Sequence, residues 1–199
     1  MKNNIKRVIS LFLCAVLCLC FAGCNKKTEK EESKKAVIDL EYYAKLGQMP
    51  ETEHALGSDT EALTEALENA AAAHESEEER DHSAPLCETI DYGDYTSIYT
   101  GNIEYCYLND KQESGISCII SYTDAYKFAS GTIITEVKNG LTAFECKEYD
   151  TTGDEVFFLP GNGPCTVLKY SFEKCDIAFI FVDNALTATA VYYPDDWKI

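Results

Sequence analysis

Cys175-Asp176-Ile177-Ala178-Phe179-Ile180-Phe181-Val182-Asp183, followed after Asn184 by Ala185-Leu186-Thr187-Ala188-Thr189-Ala190-Val191-Tyr192, reads as two strands joined by a tight turn. Ile, Val, Phe, Thr and Tyr dominate, and Asp183-Asn184 supplies the turn chemistry. Successive side chains of a strand point to opposite faces, so Ile177, Phe179 and Phe181 must share one face. The same pattern occurs upstream. Asn102-Ile103-Glu104-Tyr105-Cys106-Tyr107-Leu108-Asn109-Asp110 precedes Gly115-Ile116-Ser117-Cys118-Ile119-Ile120-Ser121-Tyr122, at offsets of 74 and 70 residues. The difference is a longer loop at Lys111 to Ser114. Identity between the blocks is low; the match rests on order, strand parity and the closing Tyr122 and Tyr192. It predicts that 103–108 pairs with 116–122 and 175–182 with 186–193, each pair covered by a helix.

Ser58-Asp59-Thr60-Glu61 has the form of a capping box. Leu63, Leu67, Ala70 and His74 follow at helical spacing, which predicts a helix from about Asp59 to Glu75. Residues 130–146 carry two signals. Asn139-Gly140 favours a hairpin, whereas Ile133, Ile134, Val137, Leu141 and Phe144 follow helical spacing. The duplication favours a helix at about 134–144. Val37 to Leu46 suits helix or strand. Strands are expected at about 86–90, 95–99, 103–108, 116–122, 145–149, 155–159, 165–171, 175–182 and 186–193. The resulting fold class is α+β, two helix-plus-antiparallel-meander modules at 37–127 and 128–199.

The amino terminus has a different texture. Lys2, Lys6 and Arg7 precede the apolar run Val8 to Ala22, broken only by Ser10, and a polar run starts at Asn25. This is the pattern of an export signal. Its ending, Phe21-Ala22-Gly23-Cys24, resembles the lipobox of bacterial lipoproteins, with Phe21 where Leu is usual. The resemblance implies cleavage after residue 23, diacylglycerylation of the Cys24 thiol and palmitate-type acylation of the new amino terminus. Residues 24–36 would then be the lipidated Cys and a polar tether, placing the protein on the extracytoplasmic face of the cell membrane.

The chain of 199 residues has 17 basic and 34 acidic side chains, a net charge of −17. From Ala36 onward there are 9 basic and 31 acidic residues, a net of −22. Nucleic-acid binders need a basic footprint, so that class is excluded. An acidic body favours a basic peptide, protein or cation as partner. An anionic bilayer repels it, which leaves anchoring to the lipid on Cys24 and to the tether, whose Lys26, Lys27, Lys30, Lys34 and Lys35 suit anionic headgroups. Of ten cysteines, six lie in the body: Cys87, Cys106, Cys118, Cys146, Cys165 and Cys175. They allow disulfides in 15 connectivities or buried reduced thiols, and no spacing selects between them.

Helix followed by meander, twice, looks like the two-module lipoproteins of Gram-positive gut bacteria. It is also similar to β-lactamase-inhibitor-protein-like and SmpA-like modules. The resemblance is carried by Asp94-Tyr95-Thr96 entering a strand, by Ile116 to Tyr122 as a closing strand, and by Lys127 to Gly131 leading into Thr135-Glu136-Val137. The Gly usual before the second helix is replaced by Thr135 or missing. The resemblance implies binding or assembly modules without catalytic residues or cofactor.

Catalytic and metal motifs are weak. Ser171-Phe172-Glu173-Lys174 matches S-x-x-K, but it sits in an expected hairpin without the partner motifs of penicillin-recognising enzymes. His54, His74 and His82 read as solvated. Asp91/Asp94, Asp150/Asp154/Glu155 and Asp195/Asp196 read as turns rather than a calcium loop. The aromatic stripes at 103–107 and 177–181 read as core rather than a ligand groove. The sequence therefore points to a lipid-anchored, non-catalytic binding or adaptor module without metal or cofactor. The alternative is a carboxylate-dependent extracellular or cell-wall hydrolase.

Overall fold

A computed structural model describes residues 38–74, 88–152, 156 and 163–199. The expected signal peptide, Cys24, the expected tether, His82, Cys87, Asp154 and Glu155 lie outside the described residues, as does the expected strand at 155–159 apart from Val156. Among the described residues three α-helices precede or interrupt the strands: α1 (Leu40–Leu46), α2 (Thr60–His74) and α3 (Ile134–Gly140). The strands are β1 (Glu88–Asp91), β2 (Tyr95–Tyr99), β3 (Ile103–Leu108), β4 (Cys118–Ser121), β5 (Lys147–Thr152), β6 (Pro164–Ser171), β7 (Asp176–Val182) and β8 (Ala185–Tyr192), with a 3₁₀ turn at Asn109–Ser114.

The strands form one antiparallel sheet in the order β1-β2-β3-β4-β8-β7-β6-β5. This corrects the expected α+β pair of helix-plus-meander modules. Both meanders exist, but β4 pairs with β8 through Cys118↔Tyr192, Ile119↔Val191, Ile120↔Ala190 and Ser121↔Thr189. They are two halves of one mostly-β sheet. Two physical reasons account for the difference. The β4–β8 ladder is a long-range pairing that no local pattern reports. In addition, α3 has 7 residues, roughly 10 Å of helix, too little to roof four strands.

Within each half the expected hairpins are present. Ile103↔Ser121 and Tyr105↔Ile119 in the first correspond to Ile177↔Val191 and Phe179↔Thr189 in the second, at the offsets of the sequence blocks. Asp183 and Asn184 have φ of 51 and 66°, the two left-handed residues of a tight hairpin turn. Asp tolerates this conformation, and Asn more so.

The ambiguous segments resolve as helices. In α1, Asp39 Oδ1 accepts the Tyr42 N–H at 3.0 Å as an N-cap. At Asn139-Gly140 the chain stays helical, and a Cβ on Gly140 would stand 2.7 Å from Phe128 Cζ, so glycine there leaves room for that ring. The cap of α2 is one residue later than the capping box suggests. Asp59 Oδ1 accepts the Ala62 N–H at 2.9 Å, while Ser58 Oγ accepts the Ala55 N–H.

One face of the sheet carries the larger core. Ile98, Tyr105, Ile119, Leu168, Tyr170, Ile177, Phe179, Leu186 and Val191 meet Leu40, Ala44, Leu63 and Val137 of the three helices. The opposite face is buried as well. Cys106, Cys118, Ile120, Val167, Ala178, Ile180, Ala188, Ala190 and Tyr192 cluster there with Val156 and Trp197. This explains why β7 reads as a near-continuous apolar run instead of alternating with polar residues.

Gly115 ties α2 to the sheet. The Ile116 N–H donates to Ser58 O at 2.9 Å and the Gly57 N–H to Ile116 O at 2.7 Å. Gly115 itself has φ 73° and ψ −158°, a region essentially restricted to glycine. A Cβ there would stand 2.4 Å from Ser58 O, a backbone atom. Gly115→Ala should therefore lose at least about 1–3 kcal/mol of stability from backbone strain alone. A denaturant midpoint equal to that of the unaltered protein would contradict this geometry.

Candidate functional site

The second face of the sheet concentrates the buried polar chemistry. Strand register sets its rows. Ser97 faces Cys106, which faces Cys118, which faces Tyr192, which faces Asp176. The next row runs Tyr99, Glu104, Ile120, Ala190, Ala178, Lys169 and Lys147. Acid thus lies toward β3 and amines toward β5 and β6, with small apolar residues between.

Glu104 is 6% exposed and Asp176 4%; they are the buried acids among the described side chains. Glu104 is held by hydroxyls, accepting from Ser97 Oγ and from Tyr122 Oη at 2.5 Å. Burial, this hydrogen bond and the Glu104 charge push the Tyr122 phenol far up, so it stays a proton donor. Asp176 lies 3.4 Å from Lys169 Nζ. Among the described residues the buried Tyr149 hydroxyl has no hydrogen-bond partner, while Tyr192 stands opposite Asp176; burial and the Asp176 charge raise both phenols. Burial, its hydrogen bond with Cys106 and the nearby Cys106 and Glu104 also raise the Cys118 thiol. A thiol held protonated is a poor nucleophile, so this face favours recognition or structure over thiol catalysis.

Among the described residues, surface clefts lie beside α1 and α2. One of about 560 Å³ lies between α1 and the β6–β7 turn, with Ala44 and Phe172 beside Glu41, Lys45, Glu173 and Lys174. Lys45 pairs with Glu41 at 2.8 Å. Another of about 300 Å³ is lined by Thr60, Glu61, Thr64 and Glu65 of α2 together with Tyr107 and Gln112. Glu61 and Glu65 stand one turn apart. Like charges at that spacing weaken a helix slightly, and no amine among the described residues lines the cleft.

The residues singled out in the sequence do not converge. Ser171 ends β6 and Lys174 lies past it in the β6–β7 turn, so S-x-x-K opens no helix. The His54 ring stands edge-on to Tyr105 at 5.8 Å, and His74 ends α2. Asp91 Oδ1 accepts from the Gly93 N–H at 2.8 Å and from Asn109 Nδ2 at 3.1 Å. Asp150 accepts from Thr166 Oγ1 at 2.7 Å, and Asp196 pairs with Lys111 at 2.6 Å. Among the described residues no three His, Cys, Asp or Glu side chains group as a metal site. The aromatic stripes pack against the helices as core. The buried Glu104 network escaped sequence reasoning. Its available signal was a carboxylate in the middle of an otherwise apolar and aromatic strand.

No family model, curated protein or solved structure matches the chain.

Proposed function

We propose that this protein is a lipid-anchored extracytoplasmic lipoprotein whose acidic body serves as a non-catalytic binding or adaptor module for a basic partner. The observation that carries the reading is the display of its carboxylates. All described acidic side chains except Glu104 and Asp176 reach the surface. The ion pairs found among the described residues engage Lys45, Lys111, Lys138 and Lys169, leaving most exposed acids without a lysine. Such a field steers and retains cations. The cleft beside Glu61 and Glu65, where no described residue brings an amine, is the natural contact point on α2. The lipobox-like Phe21 to Cys24 supports the anchor, and the lysines of the tether suit anionic headgroups.

A lysine-rich peptide titrated against the detergent-solubilised full chain tests the binding. Affinity should fall steeply between low and physiological salt, because exposed charges are screened within about 8–10 Å. Glu61→Gln with Glu65→Gln should weaken it several-fold. An affinity indifferent to salt overturns the electrostatic reading. In cells, Cys24→Ala should release the protein from membranes or leave its signal uncut. Membrane retention with unchanged cleavage overturns the lipid anchor.

A further inference from the structure

We propose that Cys106 and Cys118 are a disulfide-forming pair, cross-linking β3 to β4 when the chain folds in contact with a thiol–disulfide couple. The two residues are direct partners in the antiparallel ladder, so their side chains leave the same face. Directly opposed residues have Cα atoms about 4.5–5.5 Å apart, inside the roughly 4.4–6.8 Å range a disulfide spans. Both thiols are free and buried side by side on the second face, where Ser97 Oγ lies 3.4 Å from Cys106 Sγ. No other two cysteines among the described residues are ladder partners. Cys165 faces Thr151 and Val182, and Cys175 donates its thiol hydrogen to Ala44 O at 3.4 Å.

The chemistry is thiol–disulfide exchange with an external disulfide, R–S–S–R. The Cys106 thiolate attacks one sulfur, forming a mixed disulfide and releasing the first R–S⁻, which takes up the Cys106 proton. The Cys118 sulfur then attacks Cys106 Sγ, forming the intramolecular bond, losing its own proton and releasing the second R–SH. Two protein thiols are oxidised and one disulfide is reduced to two thiols. Both side chains have zero exposure in the folded sheet. The exchange therefore belongs to the stage before β3 and β4 close into the core, and the finished bond is shielded from reductants. An extracytoplasmic location, as proposed above, would supply the oxidant. The pairing itself rests only on strand register.

The test is refolding of the full chain from denaturant in a glutathione redox buffer, with acid quench and alkylation under denaturing conditions. Trypsin with glutamyl endopeptidase cuts at Glu104, Lys111 and Glu113, which separates Cys106 from both Cys87 and Cys118. The expected product is the fragment Tyr105–Lys111 joined to Ser114–Lys127, lighter by two hydrogens than their sum. Alkylation of both cysteines, or linkage of either to a different cysteine, overturns the proposal. Because the oxidant is supplied, failure here is separate from failure of the membrane location. Export is read independently by the Cys24→Ala fractionation.

Discussion

Phe179→Ala should lower the unfolding free energy by about 3–5 kcal/mol, the range for emptying a buried aromatic site. The ring has zero exposure at the centre of the helix-covered face. Its centroid lies 5.8 Å from each of Tyr126, Phe128 and Tyr170, in steep edge-on arrangements. Each such pair contributes roughly 0.5–1.5 kcal/mol beyond the area it buries. These partners come from the 125–128 turn and from β6, so the cavity would loosen sheet and cover together. Phe179→Leu, which keeps most of the volume, should lose clearly less. A urea denaturation series distinguishes the two, and a loss under about 1 kcal/mol for the Ala variant would show that this ring is not central.

Alkaline pH should destabilise the fold well before the backbone is affected. Burial pushes the Cys175 thiol and the Tyr105 phenol each up to about 12. It pushes the Tyr126 phenol well above its ordinary value. In the unfolded chain these groups titrate near 8.5 for thiols and 10 for phenols. Between those values and the folded ones the native state binds more protons than the unfolded state, so stability falls as pH rises. The contribution is fully present below about pH 8.5, starts to fade with Cys175 and fades faster above about pH 10. Each unit of displacement is worth about 1.4 kcal/mol, so Cys175 alone contributes roughly 2–3 kcal/mol to the loss by pH 10.5. Urea midpoints at pH 7.5, 9 and 10.5 should decline in that order. Cys175→Ala should flatten the first part of the decline. A midpoint constant across this range would mean that the thiol and the phenols are open to solvent.

Strand positions were the legible part of the fold. Runs of β-branched and aromatic residues between turn residues placed β2, β3 and β7 closely, and the offsets between the two sequence blocks reproduced the register of both central hairpins. Helical spacing also located α2 and α3, since Leu63 and Val137 do point into the core. The joining of β4 to β8 was not legible, because an edge strand and a central strand differ only in what lies beyond them. Nor was the burial of the second face. Cys106, Cys118, Ala178, Ala188 and Ala190 are small and individually uninformative, and only the closed sheet makes them a continuous surface. The carboxylate of Glu104 was invisible as a site because its donors, Ser97 and Tyr122, come from different strands and meet it only once the register exists.

The β4–β8 seam also bears on how the chain reaches this state. Each four-stranded half closes through near-neighbour hairpins, which form quickly, whereas Cys118 and Tyr192 must find each other across 74 residues of chain. Non-local pairings of this kind slow folding. Until they form, β4 presents an unpaired backbone with apolar residues on both sides, the usual template for association between chains. As synthesis proceeds, β8 emerges after the other strands of this sheet. The nascent first half therefore waits with a sticky rim until Tyr192 has been made, and a chain cut short before Ala185 would keep that rim permanently.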